Sequence, residues 1–223
     1  SSVFLQSSKA LLKEAATAQQ IADFDLGELS QLLKEASRGH FGPEKAASIQ
    51  EAARQSIGVS FLSDAIYIEM QCLLDQLDLL QEQIQLIDQS IADLMDQIPQ
   101  FITTIPGVGP VTGAAILSEI GDVNRFENSE NLVAYAGIDA TVYQTGQFEA
   151  AETHMSKRGS PFLRHALWQA ASMAIQYEPE LKAFYQTKRD QGKHHGTAVG
   201  AVCRKLLARI YVILKEQRPY IIR

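Results

Sequence analysis

From Ile66 to Ile98 the chain carries an apolar repeat that alternates steps of four and three residues without a break. With Met70 taken as position a of a heptad, the a positions are Met70, Leu77, Ile84, Ile91 and Ile98, and the d positions are Ile66, Leu73, Leu80, Ile87 and Leu94. A seam that recurs every 3.5 residues must face another helix. The intervening positions are rich in Gln, Asp and Glu. The spacing predicts one helix over residues 60–98, roughly 57 Å long at about 1.5 Å per residue. The seam has two possible uses: a self-association arm in a parallel or antiparallel coiled coil, or one long helix of an intramolecular bundle. Pro99 ends it.

Shorter helices are expected on either side. Residues 7–20 read as one, with Leu11, Leu12, Ala15 and Ala16 as its apolar positions. Asp25 is suited to cap the next, which presents Leu26, Leu29, Leu32 and Leu33. Gly39 and Gly42-Pro43 interrupt it. A third helix is expected from Glu44 to Ser56, with the Gly58 region as the break before the long one. Beyond Pro99, helices are expected over 110–120, from Ser129, and over 161–175, 178–189 and 197–215. Residues 140–155, with β-branched and aromatic residues around Gly146, are the least helical. The expected fold class is mostly α: an extended coiled-coil arm plus a compact helical C-terminal domain with a helix-hairpin-helix-like motif. The expected parts are a helical linker region (1–59), the arm (60–99) and the C-terminal domain (100–223).

The formal net charge of -6 hides two different halves. Residues 1–99 hold 6 Lys/Arg against 15 Asp/Glu, whereas residues 100–223 hold 14 against 11. A nucleic-acid surface is therefore expected only in the second half. Cys72 and Cys203 are far apart with no clustered ligand partners, which points to buried thiols in a reducing compartment. No run reaches about 18 apolar residues, so no membrane contact is expected. The start, Ser-Ser-Val-Phe-Leu, has no basic n-region, so no signal peptide is expected either. It also lacks an initiator Met, as a piece of a longer chain would.

Residues 102–120 read ITTIPGVGPVTGAAILSEI. Two helices joined at Pro106-Gly107-Val108-Gly109 would resemble a helix-hairpin-helix DNA-binding motif. The glycines permit a tight turn, and Val108 would sit between the helices. Free N–H groups near Gly109 to Thr112 would suit a phosphate oxygen. A plain helical hairpin is the alternative. Gly107, Gly109 and Thr112 are the candidate nucleic-acid contacts here.

The segment from Tyr135 reads YAGIDATVYQTGQFEAAETHMSKRGSPFLRHALWQAA, and a later one GTAVGAVCRKLLARIYVILK. Taken in order, the hairpin, Tyr-Ala-Gly, Thr145-Gly146, Ser-Lys-Arg-Gly and Leu163-Arg164 resemble the C-terminal domain of the IS110/IS116/IS902 transposases over roughly residues 100–220. Residues 1–99, especially SRGHFGPEKAASIQEAARQSIG, are similar to that family's linker and coiled-coil segment. The resemblance implies a DNA transposase or recombinase, working with a bridge RNA in several members and assembling through coiled coils. It implies a RuvC-like domain with four carboxylates for Mg²⁺, which this stretch lacks. No cofactor is therefore expected in this chain, and Mg²⁺ belongs to that absent domain. It also implies a serine that attacks the DNA phosphate, and Thr145 stands at the matching position. Threonine carries the same hydroxyl, but its methyl restricts χ1 and crowds in-line attack.

Ser156 and Ser160 are rival hydroxyls, although Ser160 is also a natural N-cap before Pro161. Lys157, Arg158 and Arg164 are candidate phosphate ligands. Tyr143 offers stacking or a hydrogen bond, and His154 a proton shuttle. Lys188, Arg189, Lys193, His194 and His195 form a basic cluster. Arg204, Lys205 and Arg209 follow, with Lys205 and Arg209 on one helix face. Expected partners are DNA, a bridge RNA and a second copy of the chain through the coiled coil. The expected setting is a prokaryotic cytoplasm, beside the nucleoid when bound. The expected function is a transposase or recombinase fragment that binds element-end DNA and carries the nucleophile position. A non-catalytic helix-hairpin-helix DNA-binding and oligomerisation protein is the alternative, and a scaffold built on the coiled coil is a third class.

Overall fold

The computed structural model describes residues 5–57, 63–139, 144–145, 148–149 and 155–222; the side chains of Ser63, Gln144, Thr145, Phe148 and Glu149 are not among the described parts. It is mostly α, with ten α-helices and one short strand pair among the described residues. The chain divides into two compact units, Ser1–Leu86 and Ile87–Arg223. Among the described residues no helix is long and apolar enough to cross a membrane.

The first unit contains α1 (Gln6–Glu14), α2 (Ala18–Asp23), α3 (Leu26–Ala36), α4 (Pro43–Arg54) and the start of α5 (Ser63–Gln97). The helix expected over residues 7–20 is two helices. Thr17 accepts a hydrogen bond from Gln20 N at 3.2 Å, while Gln20 Oε1 accepts one from Thr17 N at 3.0 Å. That reciprocal box starts a new helix and turns the chain at Ala15. Asp25 caps α3 by accepting from Glu28 N at 2.9 Å. Leu11, Leu29, Leu33 and Ala46 form the core, flanked by Ile21, Phe24, Leu32, Phe41 and Ile49.

Lys9 is charged yet 3% exposed. Its ammonium donates to Asp78 Oδ1 at 2.9 Å and Gln81 Oε1 at 2.8 Å, and Lys13 donates to Asp78 Oδ2 at 2.7 Å. Hydrogen bonds from Lys13 and Lys9 hold the Asp78 carboxyl at about 2.

Helix α5 extends about 52 Å over its 35 residues. Its buried side chains are Leu74 and Met95, each 3% exposed. Both lie one place past d, at position e. Six of the ten seam positions are open, Leu73, Leu80, Ile84, Ile87, Leu94 and Ile98 being 48–61% exposed, while Ile66, Met70, Leu77 and Ile91 are half-buried. Cys72, expected to be buried, is exposed, because position c lies on the polar side of the helix; Cys203 is buried as expected.

The second unit holds the end of α5, a 3-10 turn at Ile102–Thr104, α6 (Pro110–Ile120), a 3-10 turn at Val123–Arg125, α7 (Ser129–Ala136), β1 (Gln144–Thr145), β2 (Phe148–Glu149), α8 (Pro161–Tyr177), α9 (Pro179–Asp190) and α10 (His195–Glu216). The strands are antiparallel, with Thr145 opposite Phe148. Helix α8 is the centre, packing on α6, α9 and α10. Its inner face is largely alanine (Ala166, Ala170, Ala171 and Ala174, with Leu163 and Leu167), which lets its neighbours approach closely.

The expected first limb of the hairpin is a single 3-10 turn, Ile102–Thr104, beside which Gln100 Oε1 accepts from Thr103 N at 3.2 Å. Gly107 has φ +92, and a Cβ on it would lie 2.5 Å from Ala174 N of α8. The turn is thus pressed against α8 with Val108 buried beneath it. Gly109 opens α6 and has no neighbour within 4 Å of where a Cβ would stand.

Candidate nucleic-acid interface

The Tyr-Ala-Gly and Ser-Lys-Arg-Gly elements cross each other at backbone distance. Helix α7 ends at Gly137, which is left-handed at φ 65. The returning strand bonds to it three times: Ser156 N to Asp139 O at 3.0 Å, Lys157 N to Gly137 O at 3.1 Å, and Ser160 N to Tyr135 O at 2.8 Å. A Cβ on Gly159 would stand 1.9 Å from Tyr135 O, so only glycine fits at the crossing. Lys157 is itself left-handed at φ 54, a conformation that costs a non-glycine residue about 1–2 kcal/mol and that its hydrogen bond to Gly137 holds in place. The Tyr135 ring packs on Phe126 at 5.3 Å, with the Arg125 guanidinium 4.5 Å from its centre.

Two arginines brace the same turn from α8 and α10. Arg164 donates to Ala136 O at 3.2 Å, and Arg204 donates to Ile138 O at 3.0 Å. Each uses one nitrogen there and keeps the rest of its donor fork. Beside them lies a cavity of about 630 Å³ lined by Lys157, Pro161, Arg164, His165, Trp168 and Arg204, with Thr197 and two glycines of α10. Lys157, Arg158, Arg164 and Arg204 form no ion pair among the described residues. A concave site with three cations in its wall that meet no carboxylate among the described residues suits a phosphate oxyanion.

The other expected residues fall in different places. Ser160 caps α8, accepting from Leu163 N at 3.1 Å and donating to Glu119 Oε2 at 2.6 Å, so its hydroxyl is committed. Ser156 donates to the Asp139 carboxylate at the crossing. Thr145 contributes backbone to β1, and its side chain lies outside the described residues, as do Tyr143, Gly146 and His154. Thr112 is half-buried in the first turn of α6.

Lys205 and Arg209 do share a face, but that face meets α9. Lys205 pairs with Glu180 at 2.9 Å; Arg209 pairs with Glu178 at 3.3 Å and Glu180 at 2.5 Å. Tyr220 completes the network by donating to Glu178 at 2.9 Å, and burial together with that carboxylate pushes its phenol up to about 12. The hydrogen bond from Lys205 holds Glu180 below the usual carboxylate range. These two cations have carboxylate partners inside the unit, whereas Arg164 and Arg204 of the cavity meet only backbone carbonyls among the described residues. Lys188 and Arg189 end α9, and His194 caps α10.

His165 and Trp168 were not among the expected site residues. Their signal was present, since positions 161, 164, 165 and 168 follow the i, i+3, i+4, i+7 spacing of one helix face. Among the described residues no three His, Cys, Asp or Glu side chains are grouped to hold a metal ion.

Residues 100–186 match the model of the Transposase IS116/IS110/IS902 family. The chain is 28% identical over 141 residues to a pilin gene-inverting protein of Moraxella bovis, covering 60% of this chain and 44% of that protein. It is 29% identical over 145 residues to the transposase for insertion sequence element IS1328 of Yersinia enterocolitica, covering 61% and 42%. It is 27% identical over 150 residues to the 43.6 kDa protein of insertion element IS110 from Streptomyces coelicolor, covering 66% and 37%. The matched stretches span less than half the length of these curated relatives.

Proposed function

Residues 100–186 being a domain of the transposase IS116/IS110/IS902 family, we propose that the chain serves DNA transposition or recombination by binding element-end DNA and presenting Thr145 for phosphoryl transfer. The observation that carries this reading is the crossing at Gly137 and Gly159. It joins the two motif elements of the family resemblance and sets Lys157, Arg164 and Arg204 around one cavity. The segment that bears Thr145 leaves the crossing at Asp139 and returns at Ser156.

In the proposed step the Thr145 hydroxyl oxygen bonds to phosphorus as the bond to one deoxyribose oxygen breaks. The hydroxyl proton passes to solvent, and the departing oxygen takes one up. The guanidinium groups of Arg164 and Arg204 stabilise charge on the non-bridging oxygens. No metal is invoked in this step. Gly109 and the first turn of α6 supply a second phosphate contact, a bridge RNA is a further ligand, and copies assemble along the open seam of α5.

The test is covalent capture. The chain is incubated with labelled element-end and junction DNA, with and without Mg²⁺ and the cognate structured RNA, and resolved on a denaturing gel. The expected result is a shifted species that is absent from Thr145→Ala and stronger with Thr145→Ser, which lacks the crowding methyl. Ordinary binding with no covalent species in any of the three proteins would instead establish a non-catalytic DNA-binding and oligomerisation protein. The committed hydroxyl of Ser160 and the methyl of Thr145 favour that second reading.

A further inference from the structure

The cavity beside the crossing is more than a cationic surface. A phosphate on intact duplex DNA is convex and needs only an exposed cation. This site is a recess of about 630 Å³, within the range that encloses a small molecule. Its wall holds the indole of Trp168, which packs partly on the core from α8. Gly196 and Gly200 of α10 also line it: a Cβ at Gly196 would touch the edge of the Trp168 ring at 3.7 Å, and one at Gly200 would crowd Met155 at 3.2 Å. An aromatic plane with cations around it recognises a nucleobase with its phosphate attached, and a base can reach such a plane only when it leaves the helical stack.

One residue explains how the base would leave. Phe162 is 73% exposed, the most exposed aromatic ring among the described residues. It lies in the first turn of α8, next to the cavity residue Pro161 and one turn before His165. Arg158 is exposed a few residues upstream. Among the described residues Phe162 does not join the core cluster of the unit, and in sequence it stands between Arg158 and Arg164. Apolar side chains in this setting enter base steps and unstack them.

We propose that this recess takes one unpaired nucleotide of DNA, its base on Trp168 and its phosphate on Arg164, Arg204 and Lys157, with Phe162 filling the step it vacates. This rests on the reading that the cavity binds DNA, and it adds the class of DNA: a branched, bulged or nicked duplex rather than a fully paired one.

Trp168 is the sole tryptophan, so its emission reports on the site directly. The full chain is titrated with a short DNA duplex, the same duplex carrying one bulged nucleotide, and the same bulge as an abasic residue. The bulged duplex is expected to bind roughly tenfold tighter than the paired one and to quench Trp168, while the abasic bulge does neither. Phe162→Ala, at an exposed position that leaves the fold intact, is expected to lose the preference for the bulged duplex over the paired one. Equal affinity for all three DNAs with unchanged Trp168 emission overturns this proposal and leaves DNA binding standing. No binding of any DNA overturns both. Tighter binding of the same bulge made as RNA overturns the assignment to DNA.

Discussion

Gly107 and Gly109 look equivalent in the sequence, and the structure separates them. In Gly107→Ala the new methyl carbon would sit 2.5 Å from Ala174 N, 2.7 Å from the Met173 carbonyl carbon and 2.8 Å from Ala174 Cα. All three are backbone atoms of α8, which cannot rotate away. The residue would also keep φ near +92, unfavourable for any L side chain by roughly 1–2 kcal/mol. Forcing an extra carbon into a packed interior costs a further 1–3 kcal/mol or so. A total of about 3 kcal/mol corresponds to a fall in Tm of roughly 10 °C for a chain of this size. Gly109→Ala meets nothing within 4 Å at φ -80, so its cost should be only about 0.5 kcal/mol, that of alanine in place of glycine at a helix N-cap. The assay is thermal unfolding followed by far-UV circular dichroism at one protein concentration, with DNA affinity measured on both variants. Gly109→Ala is expected to weaken DNA binding with Tm nearly intact, since its methyl stands where a phosphate would approach α6. A Gly107→Ala protein that melts within about 2 °C of the parent would refute the packing of this turn on α8.

Three further outcomes are expected. The Asp78 carboxyl sits at about 2 in the fold against an ordinary value of 3.8, so its contribution is complete above about pH 4 and is lost as pH falls through about 2. Acid titration of helicity should show the parent more stable than Asp78→Asn at pH 5 and the two converging near pH 2; parallel curves would remove the ion pairs as a source of stability. A thiol reagent should modify one cysteine promptly, the exposed Cys72. Cys203, whose thiol burial pushes up to about 12, should react only after unfolding in urea, and two fast thiols would contradict its burial. Leu80→Glu with Ile87→Glu, at positions more than half exposed, should convert an associating chain to monomer in sedimentation while leaving its helicity unchanged; a parent that is already monomeric at tens of micromolar would end the seam proposal.

Local rules were legible in the sequence because their partners are close along the chain. Asp25 caps three residues ahead, Ser160 does the same before Leu163, and Pro99 stops α5. The unbroken heptad was legible too, although the chain packs α5 through Leu74 and Met95 at its edge, a choice made by neighbouring helices. The break at Thr17 was missed because apolar spacing continues through it while the Thr17–Gln20 box overrides it. Lys205 and Arg209 were correctly placed on one face, but no local pattern says that Glu178 and Glu180 of α9 lie opposite. The crossing of residues 135–139 with 156–160 is a backbone event between distant segments. It shows in the sequence only as glycines without a stated reason.

That crossing has a kinematic consequence. It fastens residues 139 and 156 together, so the chain between them is a closed loop anchored in the cavity wall, where Arg204 holds the carbonyl of Ile138. Thr145 is six residues from the nearer anchor, and a fully extended chain spans at most about 3.5 Å per residue. Its hydroxyl therefore stays within roughly 20 Å of the cavity in any conformation, an effective concentration on the order of tens of millimolar. The two glycines at the crossing, Gly137 and Gly159, leave no room for a Cβ, so the anchors of this loop admit no other residue.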